Sequence, residues 1–425
     1  MPETTTPSKP VAGRFLPPLL LLLTVFGPIS MDLYLPALPA LTVGLGAATS
    51  VAQLTITACL IGLAAGQLIA GPISDQFGRR GILRLGVAAY IVTSALCAIS
   101  PSVEVLIIAR LAQGLTGGVG IVIAQAAGRD VHSGGELIRF YGRLTVVGAS
   151  AAIVGPLLGG LLTALVDWRG LFGVLAVIGA AILIATLLVF AETLPADHRV
   201  RGGFAQTMRD YRTLLADRIF LGALLNQGFL WAAVFAYLAG ATYVLQNIYG
   251  LSPQWYAAAF GLNSAGFAFF GWLGGRGAER WSITGTLAIG ILVAGTGAGG
   301  LLTSGLTRMP LWVVIASLFF LAGGVAISSA PASTLALADY PRMAGTASSL
   351  LGTVKYGFGG VAAPFVGIAG ATSILPLGVV TVVAVLLSAS ACLLFARRHA
   401  PTADAMAGTA ETTAMAGTAE TTPPS

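Results

Sequence analysis

The sequence predicts an all-α membrane protein with twelve transmembrane helices, and three observations lead to this fold class. Of the 425 residues, 56% are hydrophobic and 9% are charged, whereas soluble domains carry about 25% charged residues. Apolar runs of roughly 20 residues, the length that a helix needs to cross a bilayer, recur along the chain. Basic residues collect in alternate connections between these runs, a distribution that is typical of multi-pass membrane proteins.

Twelve apolar spans follow one another in the sequence. Their approximate bounds are 15–37, 50–71, 82–100, 103–125, 141–164, 170–191, 219–244, 254–274, 283–304, 310–331, 344–368 and 373–396. Gly and Pro are frequent within them, as expected where membrane helices pack closely or bend.

The longest interior connection, 193–218, is polar and rich in Arg, and it divides the spans into two sets of six. We therefore expect an N-terminal six-helix bundle (15–192), a cytoplasmic central loop (193–218) and a C-terminal six-helix bundle (219–396). Residues 1–14 are predicted to be a cytoplasmic segment. The tail 397–425 contains AMAGTAETT twice in tandem and is predicted to be disordered, because its composition is small and polar.

Basic residues fix the predicted orientation of the chain. With a cytoplasmic N-terminus, 18 of the 22 basic residues fall in inner segments, and the outer loops hold Arg169 and Arg308. This bias predicts that both termini are cytoplasmic. The net charge of +6 does not indicate a nucleic-acid partner, because the basic residues occur singly or in small groups between spans. The inner residues are Lys9, Arg14, Arg79, Arg80, Arg84, Arg129, Arg139, Arg143, Arg199, Arg201, Arg209, Arg212, Arg218, Arg276, Arg280, Arg342, Arg397 and Arg398.

Asp32 is an acidic residue within the first span, in the segment MDLYLPALPAL. A charge in the hydrocarbon region costs a few kcal/mol on insertion scales, so such a residue is a candidate functional group. Pro36 and Pro39 are predicted to break or bend the helix beside it. A carboxylate held there could take either a proton or a cationic group of a drug. Alternatively, Asp32 faces water at the helix end or caps the next turn.

Two basic residues also lie inside spans. Arg110, in RLAQGLTGG of span four, is a candidate coupling residue, and Gln113 is one turn away. The alternative is a structural Arg that binds helix ends. Lys355, in GTVKYGFGG of span eleven, could contact an acidic or polar substrate group or act as a titratable partner of Asp32. It could also extend to the inner surface.

Two further segments are candidates for gating. The connection between spans two and three contains Gly71, Asp75, Gly78, Arg79 and Arg80, whose charges could hold the inner face closed in one state. The alternative is a basic turn that only sets topology. Span five contains a glycine–proline series that would let two helices approach closely, which is equally the pattern of ordinary tight packing. The series is Gly148, Gly155, Pro156, Gly159 and Gly160.

Polar and aromatic residues of the spans are candidates for lining a substrate cavity, although each could equally pack within a bundle. Together with Asp32 they are Tyr34, Asn226, Gln227, Trp231, Tyr237, Asn263 and Lys355. An enzyme is not expected, because no Ser/His/Asp set, H-E-x-x-H sequence or paired carboxylates occurs within a span. No metal site, cofactor or nucleotide-binding sequence is predicted, and Cys59, Cys97 and Cys392 are interpreted as packing residues.

Together these segments resemble the major facilitator superfamily. Asp75 with its flanking Gly and Arg residues resembles that family's loop 2–3 motif, and Arg110, Gln113 and Gly114 resemble its span-four motif. The segment 148–160 is similar to the span-five signature of its antiporters. MDLYLPALP, the run ETLP at 192–195, and the segments 235–252 and 344–352 resemble the Bcr/CflA drug-efflux branch. Gln76, Gly275 and Lys355 depart from the family pattern.

The resemblance implies two pseudo-symmetric six-helix bundles that rock around a central cavity. It also implies export of small hydrophobic drugs in exchange for protons across the bacterial cytoplasmic membrane. A chloramphenicol-like or bicyclomycin-like substrate is the analogy, and the chain is expected to act as a monomer in the lipid bilayer. The alternative is a nutrient or metabolite importer of the same fold.

Overall fold

In a computed structural model of the protein, the described residues are 15–132, 134–195, 199, 203–280, 282–337, 339–340, 343–368, 370 and 372–396. The segment 1–14 and the tail 397–425, with their predicted topology and disorder, lie outside these ranges. Among the basic residues used for topology, Lys9, Arg14, Arg201, Arg342, Arg397 and Arg398 also lie outside them.

Helices make up the regular structure of the described residues. In chain order they are α1 Leu16–Leu23, α2 Phe26–Asp32, α3 Leu38–Gly44, α4 Thr49–Phe77, α5 Arg79–Ala98, α6 Val103–Val131, α7 Gly134–Leu162, α8 Trp168–Val189, α9 Gly203–Ala216, α10 Arg218–Tyr243, α11 Pro253–Arg280, α12 Ile283–Thr307, α13 Leu311–Leu337, α14 Ala344–Val366 and α15 Leu375–Ala396. A short 3₁₀ turn, Leu35–Ala37, precedes α3, and a π-helical turn, Val244–Ile248, extends α10.

Nine helical segments of the described chain are long and apolar enough to cross a membrane. Three further long helices, α7, α11 and α14, occupy the positions of predicted spans five, eight and eleven. Several helices continue past the predicted span edges: α4 ends at Phe77 rather than near residue 71, and α11 at Arg280 rather than near 274. Main-chain hydrogen bonding does not stop where side chains become polar, so hydropathy underestimates helix length.

The first span is a chain of short segments because of its prolines. Pro28, Pro36 and Pro39 lack the amide proton that would bind the carbonyl four residues earlier. The helix is interrupted between α1 and α2, where the Thr24 hydroxyl donates to the Leu21 carbonyl at 2.7 Å. It is interrupted again after Asp32, the last residue of α2. The acidic side chain therefore lies at a break in the helix.

Two halves of the chain each form their own helix packing and meet mainly along two helix pairs. In the first half α6 packs against α4 and α5, and α5 against α8; in the second, α10 packs against α14 and α15, and α12 against α13. The halves meet where α4 lies against α14 and α7 against α11. Helix α9, in the predicted central loop, buries Tyr211 and Leu214 against α4, α10 and α14. The remaining space between the halves is the central cavity.

Candidate functional site

A cavity of about 430 Å³ lies between the two halves. Helices α2, α6 and α7 line it from the first half, and α10, α11, α13 and α14 line it from the second. Its volume falls in the range of small-molecule sites, roughly 300–1,000 Å³. Because both halves contribute to it, a relative movement of the halves would change the shape of the cavity and the access to it.

Asp32 reaches this cavity from the break at the end of α2. The residue is 3% exposed, and its Oδ1 atom has no hydrogen-bond partner among the described residues. Buried polar atoms are normally hydrogen-bonded, and an unpaired one costs about 1–3 kcal/mol. The Oδ1 atom of Asp32 can therefore bind a proton or accept a hydrogen bond from a ligand.

Lys355 lines the same cavity from α14. Its Nζ atom lies 3.6 Å from the ring centroid of Trp231 and 5.1 Å from that of Tyr356. Such cation–π contacts contribute about 0.5–2 kcal/mol. The side chain therefore rests on aromatic rings inside the protein. No direct salt bridge joins it to Asp32 in the described part of the chain.

Arg110 is fully buried on α6, beside the cavity but not in its lining. Nη1 donates to the Ser30 carbonyl at 2.9 Å and to Gln113 Oε1 at 2.6 Å, and Nε donates to the Thr55 carbonyl at 3.4 Å. The guanidinium also lies 4.3 Å from the Tyr34 ring centroid. Carbonyls, an amide and a ring surround this charge, and it binds the backbone of the first span just before Asp32.

The predicted cavity residues fall into two groups. Asp32, Trp231, Tyr237, Asn263 and Lys355 line the cavity.

Tyr34, Asn226 and Gln227 lie elsewhere. The Tyr34 hydroxyl bonds Thr55 Oγ1 at 3.2 Å. Asn226 Nδ2 donates to Ser388 Oγ at 2.8 Å and so joins α10 to α15 inside the second half. Gln227 lies one turn before Trp231 on α10 and outside the lining. The position of each side chain around its helix decides whether it faces the cavity, and the polarity of the residue does not reveal that position.

Sequence reasoning missed several lining residues. Gln125 and Ile121 lie on the face of α6 that follows Arg110 at helical spacing, and Phe260 and Phe267 lie two turns apart on α11. Tyr356 directly follows Lys355. The helical spacing of Ile121 and Gln125 from Arg110 could have indicated that they face the cavity. The aromatic residues on α11 gave no such signal, because they resemble the many aromatics that pack against lipid.

The charged residues after span two form a compact network at the end of α4. Arg79 Nη2 lies 2.6 Å from Asp75 Oδ1, and Arg79 Nε lies 3.2 Å from Asp130 Oδ2 on α6. The main-chain amide of Arg79 donates to Glu192 Oε1 at 2.8 Å, and that of Arg80 donates to Glu192 Oε2 at 3.3 Å. Glu192 thus accepts from the amide groups at the start of α5. Glu192 belongs to the segment ETLP, whose sequence alone did not predict this contact.

The two glycines of this connection have different environments. Gly78 has φ of 96°, a conformation that side-chain-bearing residues rarely adopt, and it joins α4 to α5. Gly71 lies within α4, and a Cβ there would make an ordinary contact with Val122. A backbone requirement for glycine therefore exists at Gly78.

The glycines of span five also differ from one another. A Cβ at Gly159 would meet the carbonyl oxygen of Leu33, and one at Gly155 would meet Cβ of Asp32. Gly160 faces α11 in the other half, while Gly148 lines the cavity and has open space around it. Pro156 lies inside α7 and is buried. The series therefore lets α7 approach the broken first span and, one residue further, the opposite half.

Polar contacts join the two halves at the end that is predicted to be outer. Thr42 Oγ1 on α3 lies 2.7 Å from the hydroxyl of Tyr243 at the end of α10. Gln246 Nε2 donates to the Pro36 carbonyl at 3.1 Å. The lining of the cavity continues instead toward the predicted inner ends of α6, α7 and α13. This conformation is closed at the predicted outer end.

Comparison with known proteins gives a consistent set of relatives. The sequence model of the Major Facilitator Superfamily matches residues 20–364. The uncharacterized MFS-type transporter YdgK of Bacillus subtilis is 36% identical over 364 residues, which cover 85% of this chain and 90% of that protein. A bicyclomycin resistance protein homolog of Haemophilus influenzae is 26% identical, with 80% and 85% of the two chains covered.

A chloramphenicol resistance protein of Pseudomonas aeruginosa is 30% identical, and the match covers 76% of each chain. Among solved structures, a bacterial homolog of the human lysosomal transporter Spinster, in an inward-facing conformation, superposes with a TM-score of 0.68. The superposition covers 91% of this chain and 98% of the Spinster homolog, and the two sequences are 16% identical. The structural likeness shows a shared fold.

Proposed function

The chain belongs to the major facilitator superfamily and is a multi-pass membrane transporter, and on that basis we propose that it exports small hydrophobic drugs in exchange for protons by alternating access. Relatives named for resistance to bicyclomycin and chloramphenicol support the substrate class. The proposal includes insertion in a bacterial cytoplasmic membrane with both termini cytoplasmic, and action as a monomer. The two bundles, 15–192 and 219–396, would be the moving units.

The observation that carries the proposal is the buried Oδ1 atom of Asp32, which has no hydrogen-bond partner among the described residues and belongs to a residue that lines a cavity shared by both halves. Protonation removes the negative charge of this group and turns one acceptor into an O–H donor, so the protonated and ionised forms bind a substrate differently. Substrate entering from the inner side would displace the proton or compete with it. Reloading of the proton from the outer side would then reset the transporter, so the gradient drives export.

Arg110 supports this cycle by holding the backbone that carries Asp32. Its bond to the Ser30 carbonyl ties the first span to α6. A change in the charge of Asp32 would alter the packing of α2 against that fixed point. We therefore assign Arg110 a positioning role in coupling.

The network of Asp75, Arg79, Asp130 and Glu192 is proposed to be the inner latch. All four residues belong to the first half, so the latch keeps the inner ends of α4, α5 and α6 together as one unit. Arg80, which is exposed, is free to contact the other half when the inner side closes. The latch would therefore consist of a rigid first half and of a contact from Arg80 that forms only when the inner side is closed.

The proposal is tested with purified protein in proteoliposomes and radiolabelled chloramphenicol as a neutral probe. An imposed proton gradient should drive accumulation of the probe against its own gradient. Asp32→Asn should abolish that accumulation, because the amide cannot carry the proton, while exchange of labelled for unlabelled probe continues. Asp32→Glu, which keeps a titratable group, should retain part of the driven transport.

Three results would contradict parts of this proposal. Probe flux that ignores both the pH gradient and the membrane voltage would exclude proton coupling. Cotransport of probe and proton in the same direction would identify an importer of the same fold instead. Full drug resistance of a sensitive host that carries Asp32→Asn at normal membrane abundance would remove Asp32 from the mechanism.

A further inference from the structure

One side of the central cavity presents hydrogen-bond acceptors that lack a donor. Asp32 Oδ1 and Asn263 Oδ1 are buried and have no partner among the described residues. The Asn263 amide is oriented by its own nitrogen, which donates to the Tyr237 hydroxyl at 3.1 Å. This side of the cavity can therefore receive a cationic donor such as an ammonium group.

Another part of the lining presents a cation and an unpaired indole donor. Lys355 Nζ rests on the Trp231 ring at 3.6 Å, and Trp231 Nε1 is buried without a partner among the described residues. A ring can stabilise the ammonium charge, but it does not accept hydrogen bonds as an oxygen does. This cationic patch matches a carboxylate, which accepts hydrogen bonds and carries the opposite charge.

The acceptor side and the donor side do not satisfy each other. No direct salt bridge joins Asp32 to Lys355 in the described part of the chain. A neutral hydrophobic drug would leave both groups unpaired, and a cationic drug would bring a second positive charge beside Lys355. A molecule that carries both an ammonium group and a carboxylate would satisfy both sides at once.

Much of the remaining lining of the cavity is aromatic. Phe235, Phe260 and Phe267 line the cavity together with Trp231 and Tyr356. These rings suit an apolar, preferably aromatic, body that separates the two charged groups of a ligand. The cavity volume of about 430 Å³ admits a molecule of amino-acid to small-drug size.

We propose that the cargo of this transporter is a small amphoteric molecule, with its ammonium group on Asp32 and Asn263, its carboxylate on Lys355 and Trp231, and its apolar body on the aromatic lining. This inference rests on the proposed proton-coupled export and narrows its cargo from small hydrophobic drugs in general to those that also carry an ammonium group and a carboxylate. Lys355, which departs from the family pattern, is the residue that distinguishes this cargo from a neutral or purely cationic one.

The test uses four compounds that share a phenyl ring and differ in charge. Phenylalanine carries both groups, phenylethylamine only the ammonium, phenylpropionate only the carboxylate, and phenylpropanol neither. Binding of radiolabelled phenylalanine to the purified protein in lipid nanodiscs, without any proton gradient, is competed by the other three. We expect phenylalanine to bind about tenfold more tightly than any of them, as one extra charge-assisted hydrogen bond provides.

Variants then assign each charge to its group. Lys355→Met should weaken the binding of phenylalanine and of phenylpropionate by about tenfold. It should bind phenylethylamine at least as tightly as the unmodified protein does, because the substitution removes a positive charge from the cavity. The retained binding of phenylethylamine also shows that this variant is folded. Lys355→Arg, which keeps the charge, should keep the preference for carboxylates. Asp32→Asn should weaken the binding of phenylalanine and of phenylethylamine and leave the binding of phenylpropionate unchanged.

The outcomes separate this inference from the proposed function. If phenylalanine binds no better than the three analogues, or if Lys355→Met leaves all four affinities unchanged, the amphoteric cargo is excluded. Gradient-driven chloramphenicol export would still support proton-coupled drug export in that case. If phenylalanine binds as expected but no substrate moves protons, the binding site is confirmed and the antiport proposal fails.

Discussion

The guanidinium of Arg110 donates a hydrogen bond of 2.9 Å to the main-chain carbonyl of Ser30, two residues before Asp32. The Ser30 hydroxyl in turn donates to the Phe26 carbonyl at 2.5 Å and lies 2.6 Å from the Tyr90 hydroxyl. The buried cation thus fastens the broken first span to α6, and the Ser30 hydroxyl fastens it to α5. It leaves the Asp32 carboxyl without a direct basic partner, which is the arrangement that a reversible proton site needs.

Arg110→Lys tests this fastening. Lys keeps the charge but cannot bind Ser30, Gln113 and Thr55 from one planar group. Each buried oxygen left unpaired costs about 1–3 kcal/mol, so we expect a clearly lower melting temperature and at least a tenfold loss of gradient-driven transport. Fluorescence-detected thermal unfolding and proteoliposome flux measure the two effects. Arg129→Lys, at an exposed position near the inner end of α6, is the matched control and should change neither.

Glu192→Gln tests the amide contacts at the start of α5. The carboxylate accepts from the amides of Arg79 and Arg80 and lies 3.7 Å from Arg199. Loss of its charge at a helix N-terminus should lower the free energy of unfolding by about 1 kcal/mol, and less at high salt. Thermal unfolding at two ionic strengths measures this. Glu104→Gln, at an exposed position in the first turn of α6, is the comparison. An equal effect of both changes would mean that Glu192 acts only as a general surface charge.

Alanine is predicted to destabilise the protein at one glycine of α7 and not at another. Gly159→Ala would push a methyl group into the Leu33 carbonyl and should cost about 1–3 kcal/mol through overpacking. Gly148→Ala meets open space within the same helix and should be neutral or stabilising by up to about 1 kcal/mol, because Ala is the better helix former. Melting temperatures of the two variants decide the point. A similar loss at both positions would show that α7 does not depend on this close approach.

The contact between Thr42 and Tyr243 is predicted to hold the outer end closed. Tyr243→Phe removes the 2.7 Å hydrogen bond between the halves and should favour the outward-open state by about 1 kcal/mol, roughly a fivefold shift in population. Distance distributions between spin labels on the outer ends of the two halves would report it. Tyr249→Phe, which removes a bond to the Met309 carbonyl within the second half, should leave the distances unchanged. Unchanged distances in both variants would exclude Tyr243 as a gate.

Hydropathy and charge distribution predicted the architecture because the bilayer imposes a simple rule on the chain. Each spanning helix must be long and apolar, and basic residues favour one side of the membrane. The prediction of an all-α, multi-pass transporter was confirmed, and so was the family. Helix ends and the four-part first span were harder to predict. They depend on main-chain hydrogen bonding and on Pro28, whose effect is local and is masked by an otherwise uniform apolar run.

The sequence by itself determined which residues are costly in a membrane: Asp32, Arg110 and Lys355 stood out because a charge among apolar residues has no local compensation. Only the tertiary structure decided what surrounds each of them. Arg110 is enclosed by carbonyls and a tyrosine ring, while Asp32 and Lys355 face one cavity from opposite halves of the chain. These partners are far apart in the sequence and come together through the packing of separate helices, so no local pattern could have specified them.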